Sequence, residues 1–319
     1  MQTVDSIFEL IGRTPMKRLT QVTQYVDSKV FVKLEYLNPS GSLKDRIALR
    51  MIEDAEKSGA LSKGMRIIEA STGNTGIALS FVGTLKGYPV IIYMPERISQ
   101  ERINIIERYG AQVELIPDDE EQNLKKEEES ISGAVVEAPL RIKCLQLEQN
   151  SPTEIWWARQ FSNPSNVAAH NKTGHEILDQ LGRVDTFVAA IGTGGTLFGI
   201  AEVLRNTDPD TRIVAVEPAS DPFIHSIGSP IVRTEVSGGI ISDLIENNLV
   251  DEIVMVSDKN AITMAHRLVT EEGLFSGISA GANVLVALQE AKKLEPDGIV
   301  ATILPDSMDR YLSSEHFTT

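Results

Sequence analysis

Apolar residues along the chain recur in two alternating rhythms, short Val- and Ile-rich runs and longer stretches of helical spacing. KVFVKLE, beginning at Lys29, is the first clear strand, followed by a helix over Asp45 to Ser58, a strand MRIIEA (Met65 to Ala70), a helix from Asn74 to Lys86 and a strand YPVIIYM (Tyr88 to Met94). Ser99 to Tyr109 then reads as a helix and AQVELI as a strand. The second half repeats the alternation with strands VDTFVAAIG (Val184 to Gly192), RIVAVEP (Arg212 to Pro218), EIVMVS and GIVATILP. Helical spacing separates them over Thr196 to Arg205, Lys259 to Glu272 and Ala280 to Leu294. Continuous apolar strands interleaved with helices predict an α/β fold with mostly parallel sheets. The economical arrangement is two doubly wound, Rossmann-like lobes facing a cleft, with ligands at the C-terminal ends of the strands.

Punctuation sharpens this outline. LIGRTPMKRL (Leu10 to Leu19) is interrupted by Gly12 and Pro15, and QNSPT (Gln149 to Thr153) reads as a boundary between lobes. DDEEQNLKKEEES (Asp118 to Ser130) reads as a solvated helix or loop, since it lacks the spaced pattern of a calcium loop. RIKCLQL around Cys144 alternates like a strand, and the cysteine reads as core.

Composition narrows the function. With 42% hydrophobic residues among 319, an ordinary core is expected, while a formal net charge of −15 opposes nucleic-acid or anionic-membrane partners. No apolar run reaches the roughly 20 residues of a spanning helix. A single cysteine forms no internal disulfide, and MQTVDSIFEL lacks the basic and apolar parts of a secretory signal, so a cytoplasmic location is expected.

Candidate chemistry sits at the strand-to-helix turns. In KLEYLNPSGSLKDR (Lys33 to Arg46), Lys44 opens a helix, where the macrodipole and burial both disfavour its ammonium form, as an amine nucleophile requires. A solvated lysine beside Asp45 is the alternative for a residue taken alone. GTGGT (Gly192 to Thr196) offers backbone N–H groups and two hydroxyls where a helix dipole favours an anion, so it reads as a phosphate cradle. It matches neither the dinucleotide fingerprint nor a Walker loop. STGNTG (Ser71 to Gly76) provides hydroxyls and the Asn74 amide, suited to a carboxylate or phenolate, or to capping the next helix. GISAGA (Gly277 to Ala282) sets Ser279 at a helix start. His170, His175, His225, His266 and His316 show no metal spacing, so no metal is expected, and no GxSxG elbow is present.

Taken in chain order, the lysine loop, STGNTG, GTGGT and GISAGA resemble the loops of the fold-type II pyridoxal-phosphate enzymes of tryptophan synthase β-like architecture, and most nearly those of the cysteine synthase and cystathionine β-synthase branch. The likeness runs from IGRTP near Gly12 through MPE (Met94 to Glu96), QFSNPSN (Gln160 to Asn166) and VEP to ILPDSMDRYLS, essentially the whole chain. It implies a smaller, mobile domain of residues 45–150 that closes on substrate, and a larger cofactor-binding domain of residues 1–44 plus 151–319. By the same resemblance Lys44 holds pyridoxal 5′-phosphate as a Schiff base and moves the substrate Cα proton. Gly192, Thr193, Gly194, Gly195 and Thr196 bind its phosphate, Asn74 its 3′-oxygen, and Ser279 faces the pyridine nitrogen. Ser71, Thr72, Gly73, Thr75 and Gln160 hold the substrate α-carboxylate. A neutral hydroxyl at the pyridine nitrogen makes a weaker electron sink than an aspartate partner, which favours β-elimination.

The implied reaction is β-replacement: an activated L-serine loses its β-substituent to give α-aminoacrylate, and sulfide adds to give L-cysteine. A homodimer and a serine acetyltransferase partner are also implied. Two departures stand out: Ser71 and Thr72 are exchanged relative to the family's usual Thr-Ser-Gly-Asn-Thr, and RTEVSGGIIS (Arg233 to Ser242) replaces a GIGAGF-like segment. The activated serine therefore stays open between O-acetylserine and O-phosphoserine, with Arg233 either a phosphate partner or a surface residue. Cystathionine β-synthase or another nucleophile's enzyme, and serine/threonine dehydratase, are the alternatives. A non-catalytic phosphate-binding protein is a further reading, against which the intact Lys44 argues.

Overall fold

The computed structural model describes residues 3–96, 98–117, 138–219 and 239–312. Its first half contains β1 (Met16–Arg18), β2 (Lys29–Leu34), α1 (Lys44–Ser58), β3 (Arg66–Ala70), α2 (Asn74–Leu85), β4 (Val90–Pro95), α3 (Gln100–Arg108), β5 (Gln112–Ile116) and α4 (Ala138–Asn150). There follow β6 (Ile155–Trp157), α5 (Pro164–Leu181), β7 (Thr186–Ala190), α6 (Gly195–Thr207), β8 (Arg212–Pro218), α7 (Gly239–Glu246), β9 (Glu252–Val256), α8 (Asp258–Glu272), α9 (Ile278–Ala291) and β10 (Ile299–Leu304).

Strand periodicity explains the layers. In β7 and β8 successive side chains alternate between faces: Phe187, Ala189, Ile213 and Ala215 enter one apolar cluster, and Val188, Val214 and Val216 the other. Helices α5 and α6 cover the first face, and α8 and α9 the second. This six-stranded sheet has the order β1-β2-β10-β7-β8-β9 and is parallel except where β1 meets β2. A second sheet, β5-β4-β3-β6, is parallel throughout. Two mostly parallel sheets are the α/β architecture the sequence pattern predicts.

Helix α2 is the hub of the smaller layer. Thr75 through Gly83 are all buried, as expected of a helix with no solvent face, and Ser80 satisfies its hydroxyl by donating to the Gly76 carbonyl at 2.7 Å. The small sheet continues past QNSPT, because β6 pairs with β3 through Arg66 and Ile155. The strand expected around Cys144 is instead part of α4. Leu140, Cys144 and Leu147 recur at helical spacing against Ile68 and Tyr93, and this tertiary contact overrides the local alternation. Cys144 is core as expected, and burial pushes its thiol pKa well up.

Two devices fix α1 and α6, the helices that open on the lysine and phosphate loops. Arg46 on α1 grips Glu35 through Nε at 2.7 Å and Glu176 of α5 through Nη1 at 2.8 Å, while buried Lys33 meets Glu176 at 2.9 Å. Burial opposes ionisation of Glu176, but the Arg46 hydrogen bonds and charge bring its pKa down to about 2. Gly199 lets α6 approach α5 closely: a Cβ there would stand 2.3 Å from the Val167 carbonyl oxygen. The charged segment from Asp118 to Ser130 lies outside the described residues, as do Arg233, His225 and His316.

Candidate active site

The lysine loop is fastened from behind. Lys44 is the first residue of α1, its backbone N–H donates to Ser42 Oγ at 3.3 Å, and Leu43 N–H donates to the Pro305 carbonyl at 2.9 Å. Ser42 also bridges Asp306. Next to Lys44, buried Asp45 accepts from Ser40 N–H at 2.7 Å and from the Ser40 hydroxyl; burial nevertheless raises its pKa to about 6. The Lys44 side chain faces the cleft.

The phosphate-type cradle forms where β7 ends and α6 begins. Gly194 adopts φ +86°, in the left-handed region that favours glycine, and Gly195 starts the helix. Asn166 on α5 donates to Thr193 Oγ1 at 3.0 Å and to the Gln160 carbonyl at 2.7 Å. Thr196 Oγ1 lies 3.1 Å from His170 Nε2, and His170 Nδ1 lies 3.3 Å from Thr173 Oγ1. Burial, then the nearby charges of Lys44 and Arg46, hold the His170 pKa well below its usual value, so the ring is neutral. The described end of the departing segment, Gly239 to Ile241, packs here: a Cβ on Gly194 would lie 3.0 Å from Ile241 Cγ1.

In the asparagine loop the capping and binding readings coexist. Ser71 Oγ accepts from Gly73 N–H at 3.2 Å and Gly76 N–H at 3.1 Å, which retains its own O–H for donation. Thr75 donates to Gln160 Oε1 at 2.6 Å, and Gln160 Nε2 donates to the Ala70 carbonyl at 2.9 Å. Buried Glu69 supports this pair by accepting from Gln160 N–H at 3.0 Å and Trp157 Nε1 at 2.8 Å. Arg102 on α3 donates to the Thr72 carbonyl at 3.1 Å and lies 5.2 Å from the Tyr311 ring centroid. Ser279 stands one turn before Asn283, which anchors α9 to Ala190 N–H at 2.7 Å and the Ile303 carbonyl at 2.8 Å.

These loops converge. Lys44, Ser71, Thr72, Gly73, Asn74, Thr75, Gln160, Gly192, Thr193 and Ser279 line a cleft of about 520 Å³, within the size range of small-molecule sites. Gly194 and Thr196 line an adjoining recess of about 160 Å³, which Lys44, Asn74 and Ser279 also face. Of the predicted residues only Gly195 lines neither cavity; it is buried at the first turn of α6 behind the loop. Arg102, Asp306 and Tyr311 also line these cavities and, with Asn166 and His170, are the site residues that sequence reasoning missed.

Residues 7–306 match the pyridoxal-phosphate dependent enzymes. The chain belongs to this family. It is 40% identical over 316 residues to a cysteine synthase of Staphylococcus aureus (strain Mu50), covering 98% of this chain and 96% of that protein. A crystal structure of cysteine synthase from Entamoeba histolytica superposes with a TM-score of 0.85 at 35% identity, over 100% of this chain and 92% of that one. An O-acetylserine dependent cystathionine β-synthase from Helicobacter pylori gives 0.84 at 32% identity, over 99% of this chain and 100% of that one. A pyridoxal-phosphate dependent enzyme needs an amine for the aldehyde, an anion cradle for the phosphate and polar groups at the ring edge. In this family member Lys44, Gly192, Thr193, Gly194, Thr196, Asn74 and Ser279 all line one recess.

Proposed function

We propose that this chain is a cysteine synthase that replaces the β-substituent of O-acetylserine or O-phosphoserine by sulfide. The observation that carries the reading is the single recess faced by Lys44, Asn74, Thr193, Thr196 and Ser279. The recess suits the cofactor, because its floor is a glycine turn at a helix N-terminus where a phosphate is stabilised by N–H groups and the dipole. Bound pyridoxal phosphate supplies the electron sink for breaking the Cα–H and Cβ–substituent bonds.

The chain's own residues do the remainder. Thr193 and Thr196 hold the phosphate end with hydroxyls already oriented by Asn166 and His170. Asn74 and Ser279 hold the ring edge. The Ser71 O–H, Thr72, Gly73, Thr75 and Gln160 receive the amino-acid carboxylate at the N-terminus of α2, so the Cα proton is presented to Lys44. Lys44, once its amine is released, takes that proton and returns it at the end of the cycle. Closing of the smaller domain, which carries the β5-β4-β3-β6 sheet and so reaches past residue 150 to β6, excludes water from the reactive intermediate. A cytoplasmic homodimer served by a serine acetyltransferase is part of the same reading.

The Helicobacter pylori likeness favours a second reading in which a larger thiol, homocysteine, replaces sulfide. One experiment separates these. The purified protein, loaded with pyridoxal phosphate, should show a lysine-dependent visible absorbance that Lys44→Ala abolishes; persistence of that band in the variant would reject the site. Cysteine formed from O-acetylserine or O-phosphoserine with sulfide is the expected product. Cystathionine formed efficiently with homocysteine, and little cysteine, would overturn the first reading in favour of the second.

A further inference from the structure

The segment from Asp306 to Tyr311 touches three parts of the site at once, and none of its residues has a role in the chemistry so far. Asp306 Oδ2 accepts from Asn74 Nδ2 at 2.7 Å and from the Tyr311 hydroxyl at 2.5 Å. Arg310 donates through Nη1 to Asn74 Oδ1 and through Nη2 to the Ser40 carbonyl. Asp306 is 2% exposed and Arg310 3%, and both belong to the segment against which the lysine loop is fastened.

An asparagine amide can be turned over, exchanging its carbonyl and amino ends at little steric cost. Here the two neighbours forbid the exchange chemically. An ionised carboxylate only accepts and a guanidinium only donates, so Asp306 requires the amino end of Asn74 and Arg310 the carbonyl end. The carbonyl is thereby occupied by Arg310, and the amide retains one N–H after Asp306 has taken the other. Asn74 lines the recess beside Lys44 and Ser279, so the group it offers there is a hydrogen-bond donor.

We propose that Asp306 and Arg310 are positioning residues that clamp the Asn74 amide so that it presents an N–H, never its carbonyl, to an anionic oxygen in the recess. This rests on the reading of Asn74 as the partner of the cofactor's 3′-oxygen. A turned-over amide would set a carbonyl against that oxygen and exchange an attraction for a repulsion. The clamp also explains why two opposite charges are buried beside a neutral amide: both exclude its one turned-over orientation, Asp306 from the amino end and Arg310 from the carbonyl end. Through Ser40, Arg310 ties the same clamp to the lysine loop, so the amide and Lys44 keep a fixed separation.

The test is a double-mutant cycle read by the dissociation constant of pyridoxal phosphate, with thermal melting of the cofactor-free proteins as the check on folding. Asp306→Ala should weaken cofactor binding by about tenfold or more, the scale of losing one hydrogen bond to a charged group. Asp306→Asn should recover most of the loss, because both donors converge on one oxygen that an amide oxygen replaces. In an Asn74→Ala background, Asp306→Ala should add little. An undiminished effect in that background, no effect at all, or an Asp306→Asn protein as weak as Asp306→Ala would each overturn the clamp. If Asp306→Ala does not fold, Arg310→Met, which removes the donors to Asn74 Oδ1 and the Ser40 carbonyl, goes through the same cycle: weaker cofactor binding that is silent in the Asn74→Ala background is expected, and an undiminished effect there, or none at all, would overturn the clamp. Persistence of the visible band in Lys44→Ala would instead reject the cofactor site itself, a failure distinct from these.

Discussion

Thr75 donates its hydroxyl hydrogen to Gln160 Oε1 at 2.6 Å, joining two residues 85 positions apart into one wall of the carboxylate pocket. Because Gln160 Oε1 is occupied and its Nε2 donates to the Ala70 carbonyl, the amide orientation is fixed and the side chain is held at the wall of the cleft. Gln160→Ala should therefore raise KM for the amino-acid substrate by about 10- to 100-fold, the worth of one hydrogen bond to a carboxylate, while cofactor affinity stays unchanged. Steady-state kinetics beside a cofactor titration checks this. A matching loss of cofactor affinity would place Gln160 elsewhere in the site.

The loops that carry chemistry are legible in the sequence because each is punctuated: an apolar strand stops at Ser71 or Gly192 and a helix follows, while Gly277 breaks the chain between two helices, not after a strand as the sequence pattern predicts. What supports them is not. Arg310 meets Asn74 and Ser40 across separations of 236 and 270 positions, and contacts at such range leave no local rhythm. Asn166 and His170 lie on α5, whose run PSNVAAHNKTGHE mixes polar and small residues with no strong apolar stripe, although His170 is fully buried. Cys144 shows the opposite failure, where a local alternation is real but the packing partner chooses a helix.

Close packing of α5 on α6 gives a second prediction. A Cβ at position 199 would stand 2.3 Å from the Val167 carbonyl oxygen and 2.8 Å from His170 Cβ, and backbone cannot swing aside as a flexible side chain can. Gly199→Ala should push α6 away from α5 and pull Thr196 from His170. Overpacking of this kind costs about 1–3 kcal/mol, so the melting temperature should fall together with phosphate-end affinity. Inorganic phosphate or pyridoxal phosphate binding, compared with a urea unfolding curve, measures both. A loss of stability alone would show that the cradle tolerates the shift.

Glu176 gives a third. It neutralises two buried cations, Arg46 and Lys33, at 2.7 and 2.9 Å. Glu176→Gln leaves a guanidinium and an ammonium sharing one carboxylate, Glu35, and should cost about 3–5 kcal/mol at neutral pH. The sign with pH follows from the depressed carboxyl pKa, about 2 in the fold against an ordinary 4.5. The stabilisation is complete above about pH 4.5 and is lost as pH falls through about 2. Denaturant unfolding of both proteins should show their difference narrowing across that window. A constant difference from pH 7 to pH 3 would mean that packing, not charge, is what the substitution removes.

His170 titrates in the opposite sense. Its ring is fully buried between Thr173 and Thr196, and its pKa lies well below the usual 6.5, driven first by burial and then by Lys44. In the unfolded chain the same imidazole gains its proton near pH 6.5, so the unfolded state binds more protons below that pH. Stability is thus full above about pH 6.5 and declines as pH falls below it, by at most about 1.4 kcal/mol per pH unit for this one group. His170→Phe strands the Thr196 hydroxyl and should cost about 1–3 kcal/mol at pH 7.5. It also removes the titrating group, so the variant's stability should fall less steeply than the wild type's between pH 6.5 and 5.5. Urea midpoints across that interval decide the matter. Parallel curves would mean that the acid sensitivity of the fold lies in other groups and that His170 serves the cradle by shape alone.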